Sequence, residues 1–300
     1  MENLSAEHAP VLLHEVIQYL DPKPGDFMID GTVDGGGHAA AVMEKIMPQG
    51  AFLGVDWDRD MVARAEPRRT HGARERYAHG NYADLPEILA REGLGKADGL
   101  LLDLGFSSTQ LARSGRGFSF GENAADEPLL MTYDDAREPV AKILRELHER
   151  DLASIIHEFG DERFAGKIAR AIVSAEKRKR ITTSGELAAV VRDALPKGYE
   201  RGRIDPATRT FQALRIYAND ELGNLKKVLE ALPRILKPGG RVVVLSFHSQ
   251  EDGIVKRAFR TAEKEAALEI LTPKPVEASR GEVGENPRSR SAKLRAAVAR

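Results

Sequence analysis

The stretch Phe27-Met28-Ile29-Asp30-Gly31-Thr32-Val33-Asp34-Gly35-Gly36-Gly37-His38-Ala39-Ala40-Ala41-Val42-Met43 decides the fold. A short apolar run ends in an acid, glycines follow, and an alanine-rich segment then opens. That order reads as strand, turn, helix. Glycines let the backbone bend sharply and approach a bound molecule without a Cβ in the way. The helix that follows presents its unpaired N–H groups to whatever lies in the turn. By itself the turn is ambiguous, because Gly35-x-Gly37-x-x-Ala40 also fits the relaxed dinucleotide fingerprint.

Outward from this turn, apolar runs bounded by turn residues recur at Ala51–Asp56 and Gly99–Asp103, with a weaker one at Arg76–His79. Helical stretches lie between them, near His38–Met47, Arg59–Arg68 and Leu85–Glu92. Alternation of this kind predicts a parallel sheet covered on both faces. From Val140 to Leu195 the pattern becomes consecutive amphipathic helices. A helical pattern resumes after Asp205-Pro206, and Arg241–Phe247 then reads as a buried strand behind the turn Lys237-Pro238-Gly239-Gly240. The expectation is one discontinuous α/β domain, residues 1–106 and 206–300, interrupted by a helical insertion at 107–205. The insertion leaves from the carboxyl end of a strand, the edge where open α/β sheets bind ligands. Pro273–Glu285 reads as a loop or linker.

Composition narrows the classes. Of 300 residues, 42% are hydrophobic, enough for a substantial core. No apolar run approaches the ~18 residues of a membrane span. The chain has no cysteine, which excludes disulfides, thiolate chemistry and cysteine zinc sites and fits a cytoplasmic setting. A net charge of −1 hides local basic runs: Arg163–Arg180 holds seven Lys/Arg against the single acid Glu176, and Asn286–Arg300 holds five against none. Such runs point to a polyanion bound at one face.

Three features move the cofactor from dinucleotide towards S-adenosylmethionine. Asp30, before the glycine turn, suits a cationic amino-acid or sulfonium group, whereas it and Asp34 would repel a pyrophosphate. Asp56 ends the second strand, placed for ribose hydroxyls, with Trp57 beside it as a stacking surface; an acid here serves NAD equally. Leu236-Lys237-Pro238-Gly239-Gly240-Arg241 before a buried strand is a turn common late in class I methyltransferases. At the end of the fourth strand, Asp103 or a nearby carbonyl can accept a hydrogen bond from an exocyclic amine, a poor nucleophile that needs chiefly in-line placement against the methyl. Orientation of that sort supplies ~7–11 kcal/mol. Phe106 or Phe118 could stack on an extruded base. His248, Glu251 and Asp252 lack a matching ligand set elsewhere, so a polar cluster at the strand end, with His248 a candidate in catalysis, is preferred to a metal site.

Together these segments resemble the bacterial ribosomal RNA small subunit methyltransferase H family, also called MraW. The resemblance runs from His8–Glu15 to Asn286–Arg295. Its most specific parts are Asp98–Leu111, Arg116-Gly117-Phe118-Ser119-Phe120, Phe159–Phe164, Pro206–Ile216 and Ser246-Phe247-His248-Ser249. It implies a class I methyltransferase (Rossmann-like) domain with a helical insertion that helps bind RNA, and methyl transfer from S-adenosylmethionine to N4 of a cytidine in the decoding region of 16S rRNA. Cofactor contacts carried over by motif are Gly36, Gly37, His38, Asp56, Tyr82, Asp103 and Gln110, beside the residue-based candidate Asp30. Candidate RNA contacts are Phe118, Arg163, Arg170, Arg209, Arg215, Arg288 and Arg290. The implied partner is 16S rRNA or the small ribosomal subunit, without membrane or metal; monomer and homodimer both stay open. This chain departs from the family at Asp34, where glycine is usual, at Leu130–Tyr133, and at Gln250 and Gly253. Two other classes fit parts of the sequence: an RNA-binding assembly factor on a methyltransferase scaffold, and an NAD-dependent oxidoreductase.

Overall fold

The computed structural model describes residues 10–65, 74–105, 115–199 and 205–300. In chain order the elements are α1 (Leu13–Leu20), β1 (Phe27–Asp30), α2 (Gly37–Ile46), β2 (Ala51–Asp56), α3 (Arg59–Ala65), β3 (Glu75–His79), α4 (Leu85–Arg91) and β4 (Ala97–Asp103). Then come α5 (Val140–Glu146), α6 (Glu149–Gly160), α7 (Ala165–Arg178), α8 (Ser184–Ala194) and α9 (Thr208–Asn219). The chain continues through α10 (Glu221–Glu230), α11 (Leu232–Ile235), β5 (Leu236–Ser246), α12 (Ser249–Lys264), β6 (Leu268–Ile270), β7 (Val276–Glu277), α13 (Arg280–Glu285) and β8 (Lys293–Ala299).

The chain divides into two compact units, Met1–Gly105 with Leu222–Arg300, and Phe106–Glu221. The first is built on one sheet of order β3-β2-β1-β4-β5-β8-β6, with β7 paired to β8. Strands β1 to β5 run parallel, and β8 is antiparallel to both β5 and β6. This is the class I methyltransferase sheet. Side chains that alternate along a strand go to opposite faces. Thus Ile29, Leu100, Leu102, Val242 and Val244 join one apolar cluster, while Met28, Leu101, Val243 and Leu245 join another. Covering both faces explains why these strands read as unbroken apolar runs.

Three local readings change. The turn expected at Lys237–Gly240 is absorbed into β5, which meets β4 through an irregular register between Ala97 and Gly99. The stretch expected to be a loop, Pro273–Glu285, contains β7 and α13, and Ser279 caps that helix by accepting the Glu282 N–H at 3.1 Å. The basic C-terminal stretch holds β8, an interior strand whose Arg295 is buried in an ion pair with Asp252 at 2.6 Å.

The second unit is helical, with a core that includes Leu152, Ile156, Ile168, Ile172, Leu187, Val191, Phe211 and Leu214. Helix α9 belongs to it, packed on α6, whereas the sequence placed residues 206 onward with the sheet. Helix α8 opens with Thr183 and Glu186 capping each other's backbone N–H groups. Fully buried Glu162 accepts the Phe164 N–H at 2.7 Å and the Tyr199 hydroxyl at 2.9 Å, so this acid is paired inside the core. The departing segment Leu130–Tyr133 is built into the same unit: the Arg116 side chain donates to the Thr132 carbonyl, and the Tyr133 hydroxyl donates to Glu221.

Candidate functional site

Three parallel strands end in acids at the carboxyl edge of the sheet: Asp30 on β1, Asp56 on β2 and Asp103 on β4. Position in the sheet brings these three together, and a network in the glycine turn ties them. The Asp30 carboxylate accepts from the Thr32 N–H at 3.0 Å and from its hydroxyl at 3.3 Å. That same hydroxyl oxygen accepts the Asp103 N–H at 2.7 Å. Asp56 accepts the Asp34 N–H and the Asp58 N–H, each at 2.9 Å, and so clamps the turn to the end of β2. Its remaining lone pairs still suit ribose hydroxyls. Asp103 accepts the Gly105 N–H at 3.0 Å.

Helix α2 starts inside this turn. Gly36 caps it with φ 77°, a left-handed conformation that glycine adopts freely. A Cβ at Gly37 would lie 2.7 Å from Pro10 Cγ, so only glycine fits between the turn and the entering chain. Asp34 takes φ 40° without being glycine, which accounts for the glycine usual there. A left-handed L-residue costs roughly 1–2 kcal/mol, and a branched side chain is worst. Asp34→Val is therefore expected to lower the unfolding free energy by about 2 kcal/mol, with Asp34→Gly unchanged or slightly more stable; denaturant titration of the three proteins measures it.

Burial sets the electrostatics. It pushes Asp30 up to about 7, with hydrogen bonds from Thr32 opposing and the charges of Asp103 and Asp56 adding. Asp56 is also pushed up to about 7 by burial, against the Asp58 and Asp34 N–H bonds. Asp103 is raised by burial too, with the neighbouring His38 working the other way. Mutually repelling carboxylates removed from water are relieved by a cation. The donor set thus fits a ligand that carries positive charge and hydroxyl groups. It does not fit a pyrophosphate.

His38, on the first turn of α2, is buried with its Nε2 at 2.9 Å from the Val11 carbonyl oxygen and its Nδ1 at 3.4 Å from Asp103 Oδ2. Tyr82 is half-buried and packs beside Gly31, where an added Cβ would come within 3.2 Å of it. The Trp57 carbonyl oxygen lies 2.9 Å from His79 Nε2, which donates to it. Gln110 and Phe106 lie outside the described residues.

Other candidates have different jobs. His248 caps α12: its ring nitrogen Nδ1 accepts the Glu251 N–H, and Glu251 accepts from the His248 N–H in return. The ring thus serves the helix start through Nδ1, while its Nε2 lies 3.1 Å from Glu251 Oε1. Phe118 is 4% exposed in the core of the helical unit, its ring 5.4 Å from that of Tyr133. It is a packing side chain and offers no face to a base. Arg215 is held by Glu221 at 2.8 Å, both largely buried, so its guanidinium is bound within the fold rather than open to phosphate. Arg209 donates to the Asp161 carbonyl at 3.0 Å, and Arg170 pairs with Glu149 at 3.1 Å on the surface. Arg163 is exposed, its guanidinium over the rings of Phe164 and Tyr199. Arg288 and Arg290 are exposed in the short helical turn Pro287–Ser291. Among the described residues no group of three or more His, Asp and Glu is placed to hold a metal, and no helix is long and apolar enough to cross a membrane.

Thr32 is the residue that sequence reasoning missed. Its signal was a hydroxyl two positions after a strand-ending acid, but its second partner, Asp103, is 71 residues away.

Comparison with known proteins gives the same direction as this geometry. Ribosomal RNA small subunit methyltransferase H of Syntrophus aciditrophicus (strain SB) is 44% identical over 97% of this chain and 96% of its own length. The protein of that name from Geotalea uraniireducens (strain Rf4) is 45% identical over 97% of both. That from Geobacter sulfurreducens (strain ATCC 51573 / DSM 12127 / PCA) is 44% identical over 98% of this chain and 99% of its own. The model of the MraW methylase family matches residues 5–300, from before the glycine turn to the end of β8. With strand-end acids, turn and insertion all inside that match, the chain belongs to the MraW methylase family.

Proposed function

We propose that this protein transfers a methyl group from S-adenosylmethionine to N4 of a cytidine in the decoding region of 16S rRNA. The observation that carries the reading is the meeting of three strand-end carboxylates, Asp30, Asp56 and Asp103, each pushed up by removal from water, so that a cationic ligand stabilises their ionised forms. When bound, S-adenosylmethionine supplies an electrophilic methyl on a sulfonium. Asp30 and Thr32 hold the cationic amino-acid end, and Asp56 takes the ribose while fixing the turn through the Asp34 N–H. Tyr82, Gly36 and Gly37 shape the walls around it. Asp103, whose side chain is 22% exposed at the end of β4, accepts a hydrogen bond from the cytosine amine and turns its lone pair towards the methyl.

The helical unit supplies the RNA-binding surface in this reading. Arg163, Lys167, Arg170, Lys177 and Arg178 are all exposed along α7 and its start, at the spacing of one helix face. Cations in such a row match a phosphate backbone. Arg288 and Arg290 add exposed charge on the sheet unit.

Labelled S-adenosylmethionine incubated with small subunits lacking this modification tests the proposal. Label is expected in one cytidine, mapped at nucleotide resolution. No incorporation would sink it, and salt-sensitive RNA binding without methyl transfer would favour an assembly factor instead.

A further inference from the structure

The hydrogen bonds around His38 fix which of its nitrogens carries a proton. Nε2 lies 2.9 Å from the Val11 carbonyl oxygen, and a carbonyl only accepts, so Nε2 donates. In the neutral ring this leaves Nδ1 with a bare lone pair. That nitrogen faces Asp103 Oδ2 at 3.4 Å, longer than the roughly 2.7–2.9 Å of a charge-assisted hydrogen bond. The other Asp103 oxygen is engaged by the Gly105 N–H. A lone pair and a carboxylate oxygen therefore border a gap that one proton fills, giving an imidazolium paired with a carboxylate. The His38 side chain is 8% exposed and that of Asp103 22%, so the acid is the pair's opening to the site.

We infer that His38 and Asp103 together receive the proton released when an exocyclic amine is methylated, with His38 acting as a positioning residue through Asp103. The inference rests on the amine reading of the acceptor given above. In the step, the amine lone pair forms the nitrogen–carbon bond as the methyl–sulfur bond breaks, and that bond's electron pair returns to sulfur and discharges the sulfonium. The nitrogen, now positively charged, gives one N–H proton to the Asp103 carboxylate. The proton comes to rest between Oδ2 and His38 Nδ1. After product leaves, water takes it through the exposed part of Asp103.

Charge bookkeeping supports this seat. The positive charge that disappears at sulfur reappears as imidazolium beside the same acids. Asp34 and Glu251 act on Asp103, and Asp30 is joined to it through Thr32. Glu251 in turn lies 3.1 Å from His248 Nε2. Among the described residues, these acids act on the pair, and they favour a cation there before and after transfer.

Nitrogen-15 NMR of histidine-labelled protein tests the resting state without any substrate, His38 being assigned by its absence in His38→Gln. At pH 8 Nε2 should be protonated and Nδ1 bare. A ring protonated on Nδ1 and bare on Nε2 at pH 8 would overturn the inference. His38→Gln retains a donor for Val11 but no titrating nitrogen. Its kcat should fall about 10²-fold, and the dependence of kcat on pH should be flatter than that measured in parallel for the wild type. An unchanged pH profile overturns the inference. If this variant does not fold, the wild-type tautomer decides. An enzyme that methylates some base other than cytidine leaves the tautomer measurement intact, so the two readings fail separately.

Discussion

Asp103→Asn is expected to leave a folded protein whose methyl transfer is about 10³-fold slower than that of the wild type. The amide has the shape of the carboxylate. Its oxygen keeps the Gly105 N–H as donor, and its NH₂ can donate to the bare Nδ1 of His38, so the end of β4 has no reason to unravel. The negative charge is what goes. Without it the amine loses the acceptor that aims its lone pair, and the released proton loses its first stop. Single-turnover rates with saturating S-adenosylmethionine measure the effect, and a thermal melt checks the fold. A rate near that of the wild type would remove Asp103 from the chemistry.

The second large effect is on pH. Affinity for S-adenosylmethionine should fall as pH is lowered through 7 and level off above about 8. Asp30 and Asp56, both pushed up to about 7 by burial, must be ionised to meet a cationic ligand. Below that value the ligand has to displace protons, which costs about tenfold in affinity per pH unit for each group so displaced. The sign for the ligand-free protein is opposite. Acids whose folded values lie above the ordinary 3.8 bind more protons in the folded state between about 4 and 7. Stability from these groups is therefore greatest on the acid side of that window and lost as pH rises through it. Calorimetric titration in buffers of different ionisation enthalpy would count the protons released. Affinity that stays flat from pH 5.5 to 8 would refute the link between the trio and a cation.

Much of the sheet was legible because β1, β2 and β4 are apolar runs closed by acids and glycines, and the three acids at their ends were visible for the same reason. Strand β8 was not. In Lys293-Leu294-Arg295-Ala296-Ala297-Val298-Ala299 every residue but Val298 favours helix by local preference, and pairing with β5 on one side and β6 on the other makes the stretch a strand. Helix α9 was seen as a helix, but its apolar side chains Phe211 and Leu214 do not say which core they enter. Phe118 illustrates the same gap, since an aromatic suited to stacking on a base is equally suited to a core. The contacts of His38 with Val11 and Asp103 join residues 27 and 65 positions away, a relation that no local pattern carries.

The place of β8 has a consequence for the order in which the chain acquires its shape. The helical unit is one continuous segment, Phe106–Glu221, whereas the sheet unit is cut in two by it. A ribosome making this protein releases the whole helical segment before β5 exists, and β8 emerges after every other strand. Until then β5 and β6 present unpaired edges, the kind of surface on which chains aggregate. The helical unit can close early on local contacts; the sheet that carries the acids must wait for its last interior strand.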